Sequence, residues 1–210
     1  MPTTIHLVRH AQGYHNVHHD VSIPDPYLTP LGLKQSKSLG AHFPDKDKIT
    51  HIVASPMKRT LSTAYHAFQD LIDGPNGKKI IANPLLQECN EFPCDVGSEP
   101  EVLVPEFGAY TNLELVVKGW NVKTPPGSMY AADDAALERR AKAARTWLRT
   151  LGRSQENAVM VVVAHGDFIQ RLTQTRGLWA NAEYHTYTFA NPEGEDEEAF
   201  FRELAPVSKV

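Results

Sequence analysis

Four short strand-like runs along this chain are separated by segments whose apolar residues recur with helical spacing. The runs cover residues 5–8, 51–54, 79–82 and 159–164. Alternation of strands and helices along a chain is typical of β-α units that assemble into a parallel sheet. We therefore predict an α/β fold with a mostly parallel central sheet.

Two of these runs are followed directly by a histidine-containing pair. Arg9-His10 follows the first run, and His165-Gly166 follows the run at 159–164. In an open α/β sheet, ligands bind beyond the carboxyl ends of the strands. We therefore expect His10 and His165 to lie in one site, although they are far apart along the chain.

Capping signals predict three helices. Thr29-Pro30 is typical of an N-cap followed by the first helical residue, and Pro56 opens a second predicted helix that runs to about Ile72. The segment 133–151 has acidic residues first and arginines later, as the helix dipole favours. It should form the longest helix.

Two segments do not fit this alternation. Residues from about 88 to 130 have no clean period and several prolines and glycines, so we predict an inserted loop and short-helix region that could cover a pocket. The acidic run 193–198 is interpreted as a solvated hairpin loop before a final strand at 200–204.

Composition narrows the class of protein. A chain of 210 residues with 41% hydrophobic residues can bury one sizeable core, so we expect one domain over residues 1–210. A net charge of −4 gives no indication of nucleic acid or a membrane surface as a partner. The apolar runs are too short to span a bilayer, and we expect a cytoplasmic protein with Cys89 and Cys94 as free thiols. The oligomeric state is left open.

The residue types around the two histidines match the needs of phosphoryl transfer. A neutral imidazole can attack phosphorus, which makes His10 the candidate nucleophile. Phosphate oxygens need fixed cationic donors, and guanidinium groups bind them bidentately. Arg9 adjoins His10, and Arg59 lies near the start of a predicted helix that follows a strand. His165, protonated or through one N–H, would complete these donors.

A leaving alkoxide also needs a proton. A carboxyl group can supply it if burial or a neighbouring carboxylate raises its pKa toward the working pH. Glu88, which follows the third strand, is the first candidate, and Glu91, Asp95 and Asp167 are the alternatives. Asp167 could instead offer its backbone N–H at the start of a helix.

Several of these residues belong to ordered motifs. The motifs are Leu7-Val8-Arg9-His10, Asn16, Leu28-Thr29-x-x-Gly32, Ser55-Pro56-x-x-Arg59-Thr60, Leu86-x-Glu88 and His165-Gly166. Together, from residue 5 to about 175, they resemble the histidine phosphatase superfamily, also called phosphoglycerate mutase-like.

The resemblance implies both a fold and a set of roles. It implies a three-layer α/β/α sandwich and no requirement for a metal or other cofactor. His10 would be the phosphorylated histidine, Glu88 the proton donor, and Arg9, Arg59 and His165 the phosphate pocket. Asn16, Gly166 and Asp167 would be further substrate contacts.

Three departures from the family pattern bear on the reaction. Ala11 stands where the family usually has Gly, and Gly13 stands where the mutases tend to have Ser. Glu88 is followed by Cys89-Asn90 rather than by the mutase-like pattern. Hydrolysis is therefore favoured over mutase chemistry.

We accordingly expect a metal-independent phosphatase that hydrolyses a small phosphorylated molecule. The alternatives are a phosphoglycerate-mutase-type isomerase, an enzyme that cleaves organic diphosphates, and a non-catalytic phosphate-binding regulator. A metal site at His15, His18, His19 and Asp20 is not favoured, because neighbouring loop histidines are usually solvated. Selection of the leaving group is assigned to residues 89–130.

Overall fold

The computed structural model describes residues 3–74 and 77–204. Its helices are α1 (Tyr14–His18), α2 (Pro30–Ala41), α3 (Lys58–Ile72), α4 (Pro100–Phe107), α5 (Asp134–Arg153) and α6 (Gly166–Thr173). Its strands are β1 (Thr4–Arg9), β2 (His51–Ala54), β3 (Ile80–Ala82), β4 (Thr111–Asn112), β5 (Val159–Ala164), β6 (Tyr184–Phe189) and β7 (Phe201–Glu203). Within the described residues these strands form one sheet in the order β4-β3-β2-β5-β1-β6-β7.

The sheet is mostly parallel, as predicted. β1, β2, β3, β4 and β5 pair in parallel along its length. β6 pairs antiparallel with β1, and β7 pairs antiparallel with β6. The carboxyl ends of β2, β5 and β1 therefore lie side by side at one edge of the sheet.

Helices cover both faces of the sheet, which confirms the three-layer α/β/α sandwich. Val161 and Val163 of β5 pack with α2, α3 and α4 in one apolar cluster. Met160 and Val162 of the same strand pack with α5 and α6 in the other. Burial on both faces explains why this strand is a continuous apolar run rather than an alternating one.

The predicted helix starts are confirmed for α2 and α5. The Thr29 hydroxyl oxygen accepts a hydrogen bond from the Gly32 N–H at 3.0 Å, and the Asp133 carboxylate accepts one from the Ala136 N–H at 2.9 Å. With 20 residues, α5 is the longest helix among the described residues.

The start of α3 differs from the prediction by two residues. The helix begins at Lys58 instead of Pro56, because the first free N–H of the helix, that of Lys58, is bound by a carboxylate from elsewhere in the chain. Asp25 Oδ1 accepts this hydrogen bond at 3.1 Å.

The region 88–130 contains short helices, as predicted, and also a strand. A 3-10 helix covers Pro93–Asp95, α4 follows it, and β4 extends the sheet by pairing with β3. β4 has only two residues. It is too short to show a periodic pattern in the sequence.

The acidic hairpin loop is less solvated than predicted. The β6–β7 hairpin is present, but Asp196 and Glu198 bind buried arginines of α5. Asp196 Oδ1 lies 2.9 Å from Arg149 Nη1, and Glu198 Oε2 lies 3.3 Å from Arg145 Nη2. The interpretation as a purely solvated loop is wrong for these two carboxylates.

Among the helices of the described residues, none has both the length and the apolarity needed to cross a membrane.

Candidate active site

A cavity of about 270 Å³ lies at the carboxyl edge of the sheet. Arg9 and His10 at the end of β1, together with Glu88 after β3, form part of its wall. Gly166 and Asp167, at the start of α6, form another part. Residues that follow three different strands therefore meet in one concave site.

The His10 side chain is buried and has a defined tautomer. Its Nδ1 lies 2.8 Å from the Ala11 carbonyl oxygen, so Nδ1–H is the donor in this pair. Its Nε2 accepts a hydrogen bond from Arg59 Nε at 3.2 Å. Burial, followed by the charges of Arg59 and Arg9, lowers the pKa of His10 well below its usual value, so the ring is neutral near pH 7.

Arg59 joins His10 to the neighbouring elements. Its side chain is 1% exposed. Its Nη1 donates to the Cys94 carbonyl oxygen at 2.7 Å, and its Nη2 donates to His165 Nδ1 at 3.1 Å. The same Nη2 lies 3.6 Å from Asp95 Oδ1. The guanidinium is thus held in one orientation from several sides.

His165 lies behind the cavity wall, in contact with Arg59. Because its Nδ1 accepts from Arg59, its Nε2–H donates to Ser55 Oγ at 2.9 Å. Burial and the charge of Arg59 lower the pKa of His165 well below its usual value. His165 is therefore neutral, and its N–H points to Ser55. This arrangement disfavours a protonated His165.

Arg9 lies in the cavity wall with one donor unused. Its Nη1 donates to the Trp179 carbonyl oxygen. Its Nε is buried and has no hydrogen-bond partner among the described residues. Gly166 packs beside it, and a Cβ at position 166 would lie 3.4 Å from Arg9 Nε. Gly166 is thus in close contact with the Arg9 side chain, where a Cβ would press against the guanidinium.

Glu88 is a buried carboxyl group in the cavity wall. Burial, followed by the charges of Asp95 and Asp167, raises its pKa to about 7. Its Oε1 accepts a hydrogen bond from the Cys89 N–H at 2.8 Å. Of the alternative acids, Asp95 and Asp167 also line the cavity, whereas Glu91 is exposed and outside its wall.

Two buried cations that the sequence analysis did not single out bind the backbone of Glu88. Lys123 Nζ donates to the Glu88 carbonyl oxygen at 2.5 Å, and Arg140 Nη2 donates to the same oxygen at 3.1 Å. Burial, followed by the charge of Arg140, lowers the pKa of Lys123 to about 7. No motif reveals this contact, because Lys123 lies in the irregular insertion and Arg140 on α5.

Asn16 and His15 come from the short helix α1 and line the opposite wall. Asn16 Nδ2 lies 3.0 Å from His15 Nε2, and its Oδ1 accepts from the Gly13 N–H at 3.0 Å. The His15 and His10 ring centroids are 5.6 Å apart. A Cβ at Gly13 would lie 2.8 Å from His15 Nδ1, so glycine at this position allows the His15 ring to approach.

The other residues of the possible metal site lie at the surface, and the two cysteines form no disulfide. His18, His19 and Asp20 are exposed. Across residues 3–74 and 77–204, no group of three or more His, Cys, Asp or Glu side chains could hold a metal ion. Cys89 and Cys94 are both free and buried, as predicted for thiols that form no disulfide.

Comparison with known proteins agrees with this geometry. The profile of the histidine phosphatase superfamily, branch 1, matches residues 5–192. The chain belongs to this superfamily. The match covers every residue that lines the cavity, and it confirms the resemblance drawn from the sequence motifs.

Curated relatives of this histidine phosphatase superfamily member match only part of it. A probable phosphatase of Schizosaccharomyces pombe is 38% identical over 115 residues, which cover 51% of this chain and 50% of the relative. Phosphoglycerate mutase-like protein 2 of Arabidopsis thaliana is 39% identical over 94 residues, or 40% of this chain and 26% of the relative. The matched part spans half the length or less of these relatives.

Solved structures support the superfamily fold. The ecdysone phosphate phosphatase from Bombix mori superposes with a TM-score of 0.67 at 14% identity, covering 97% of this chain and 92% of that one. A phosphoserine phosphatase from Entamoeba histolytica superposes with a TM-score of 0.57 at 21% identity, covering 89% and 91%. At these identities, the similarity is one of fold.

Proposed function

We propose that this histidine phosphatase superfamily member is a phosphatase that hydrolyses a small phosphorylated molecule without a metal ion. The names of its relatives support this proposal, because they include a probable phosphatase. The observation that carries it is the contact between a neutral, buried His10 and the guanidinium of Arg59, with the Glu88 carboxyl group in the same cavity.

His10 Nε2 is the proposed nucleophile. The hydrogen bond from Nδ1 to the Ala11 carbonyl oxygen leaves the lone pair on Nε2, and the lowered pKa keeps this lone pair free of a proton. In the phosphate-free site, Arg59 Nε–H occupies the lone pair. A bound phosphate would compete for this donor and release Nε2 for attack.

The phosphate would be held by cations that are already in place. Arg9 lines the cavity, and its guanidinium suits phosphate oxygens. Arg59 offers a second guanidinium, and α6 begins at Gly166 in the cavity wall, where the positive end of a helix favours an anion. Such fixed donors stabilise the charge on the transferred phosphoryl group.

Glu88 is the proposed proton donor. As His10 Nε2 forms its bond to phosphorus, the bond from phosphorus to the ester oxygen breaks, and the Glu88 carboxyl proton moves to that oxygen. Water then attacks the phosphohistidine, the N–P bond breaks, and the proton from water returns to Glu88. A pKa of about 7 allows Glu88 to act in both directions near neutral pH.

The His10→Ala variant tests the nucleophile. We expect phosphate release from p-nitrophenyl phosphate to fall by at least about 1,000-fold, because the covalent pathway is lost. Wild type quenched in alkali, where the N–P bond of phosphohistidine is stable, should carry one phosphoryl group on His10 by mass spectrometry. The His42→Ala variant, with an exposed histidine at the end of α2, is the control. Turnover by His10→Ala close to the wild-type rate would rule out this mechanism.

A further inference from the structure

A groove of about 660 Å³ adjoins the phosphate cavity between α5 and α6. Asn90, Asp167 and Gln170 line both the cavity and the groove, so the two spaces adjoin at these three residues. A volume of this size is within the range of small-molecule binding sites.

One wall of the groove is the polar face of α6. Phe168, Ile169 and Leu172 are buried against the sheet, whereas the residues at 167, 170, 171 and 174 line the groove. At 1.5 Å per residue, the positions from 167 to 174 span about 10 Å along the helix, of which about 6 Å lies beyond Gln170, the last residue shared with the cavity. This space can accommodate a leaving group of about the size of one sugar ring.

The chemistry of the proposed reaction places the leaving group on this side. Glu88 must reach the ester oxygen between phosphorus and the leaving group. The residues after Glu88, Cys89 and Asn90, line the groove. A leaving group whose oxygen meets Glu88 is therefore directed into this space.

The charges in the groove do not favour a second phosphate. Arg171 is already bound by Asp134 at 2.6 Å and by Glu138 at 3.1 Å. The carboxylate of Asp167 and the guanidinium of Arg176 are the other charges in the lining. The groove thus holds three carboxylates and two guanidiniums, together with neutral amides at its walls.

We infer that this groove binds the leaving group of the substrate and selects a monophosphate ester of a polyhydroxy alcohol. The amides of Asn90, Gln170 and Gln174 would hydrogen-bond its hydroxyl groups. The inference rests on the proposed phosphatase function. It moves leaving-group selection from residues 89–130 mainly to α5, α6 and the residues after α6. It also disfavours the mutase and diphosphate alternatives, which must accommodate two phosphates.

Three six-carbon esters test this selectivity in the wild type. We expect kcat/KM for glucose 6-phosphate to exceed that for glucose 1,6-bisphosphate and for hexyl phosphate by about tenfold or more. Preference for hexyl phosphate would instead assign the leaving group to the apolar residues at the cavity mouth, Val21, Phe92 and Leu178. Preference for the bisphosphate would also overturn the inference.

Variants in the groove provide a second test. Glu138→Lys should raise kcat/KM for the bisphosphate relative to glucose 6-phosphate about fivefold at low salt, because it adds positive charge. Glu101→Lys, at an exposed residue of α4, is the matched control and should keep the wild-type ratio.

Gln174→Gly tests the amide at the far end of the groove, and glycine suits the left-handed backbone there (φ 55°). It should raise KM for glucose 6-phosphate about fivefold relative to p-nitrophenyl phosphate.

The outcomes separate the two proposals. If the folded wild type releases no phosphate from any ester, including p-nitrophenyl phosphate, the proposed function itself fails. If it hydrolyses p-nitrophenyl phosphate but neither the ester panel nor the groove variants show the expected selectivity, only the groove assignment fails.

Discussion

At the scale of single residues, the protonation states in the cavity are set by burial and by neighbouring charge. Two imidazoles are kept neutral beside Arg59, while burial and two neighbouring carboxylates raise the pKa of Glu88 to about 7. A neutral nucleophile and a protonated acid are therefore both available on the acidic side of neutrality. This combination determines the expected pH dependence.

We predict that kcat/KM is constant between about pH 5 and 6.5 and falls above pH 7. Glu88 donates only when protonated, so activity is present below its pKa and is lost as the pH rises through it. His10 contributes no acidic decline in this range, because its pKa is well below the usual value. Initial rates with an alkyl phosphate measure the profile, and Glu88→Gln should abolish the alkaline decline.

Lys123 provides an internal check on this assignment. Its amino group lies beside the Glu88 backbone and interacts with the charges of Glu88, Asp95 and Arg140. Lys123→Met removes a positive charge that favours the Glu88 carboxylate, so the alkaline decline should move up by about one pH unit. Lys123→Arg keeps a positive charge beside Glu88 across this pH range, so its decline should lie at or below the wild-type pH. If kcat/KM of Glu88→Gln falls at the same alkaline pH as kcat/KM of the wild type, Glu88 is not the group that causes the fall.

At the scale of elements, the position of Arg59 depends on how α3 begins. Asp25 accepts hydrogen bonds from the Lys58 N–H at 3.1 Å and from the Ser98 N–H at 2.9 Å and hydroxyl group at 2.7 Å. This carboxyl group is 4% exposed. It therefore joins the loop before α2, the first turn of α3 and the insertion, one residue from Arg59.

Asp25→Ala should lower the free energy of unfolding by about 2 to 3 kcal/mol, because it leaves buried N–H groups of two elements without acceptors. Urea denaturation followed by circular dichroism measures the loss. Asp20→Ala is the matched control, since Asp20 also accepts from the N–H and hydroxyl group of a serine, Ser22, but is exposed. Equal losses in the two variants would contradict a special role for Asp25.

At the scale of the whole molecule, Arg145 connects three parts of the α5 side of the sheet. Its Nε donates to the Glu198 carbonyl oxygen at 2.8 Å. Its Nη1 lies 3.4 Å from the Arg171 carbonyl oxygen and 3.5 Å from that of Leu172, near the end of α6. The guanidinium also lies 4.9 Å from the Phe200 ring centroid. The β6–β7 hairpin is thereby attached to both α5 and α6.

Arg145→Ala should reduce the free energy of unfolding by about 2 to 4 kcal/mol through lost hydrogen bonds and packing. Lys142→Ala removes two ion pairs to the same loop, with Glu197 and Glu198, but these pairs are exposed. The urea midpoint of Lys142→Ala should stay near that of the wild type. A loss of stability as large as that expected for Arg145→Ala would show that surface charge, not burial, attaches the loop.

Local patterns were sufficient for β1, β2, β3, β5 and β7 and for the limits of α2, α3 and α5 to within two residues, but they did not predict β6. The runs at 5–8, 51–54 and 159–164 correspond to buried strands because each carries the apolar residues that a covered strand needs. Thr29 and Asp133 predicted helix starts because capping is a contact within one turn. The two-residue strand β4 and the shifted start of α3 were not predicted, since each depends on a partner distant in sequence.

The same distinction, between local sequence patterns and contacts with residues distant in sequence, applies to the candidate active site. Residue type and order were enough to nominate His10, Arg9, Arg59, His165 and Glu88, because each follows a recognisable strand or opens a helix. Only the folded chain brings Lys123 from the insertion onto the Glu88 carbonyl oxygen and makes a groove from α5 and α6. Likewise, only burial and the neighbouring carboxylates of the folded chain turn Glu88 into an acid near neutral pH. Strand ends and caps are local in sequence, whereas desolvation, pKa values and cavity walls arise from residues that meet only after folding.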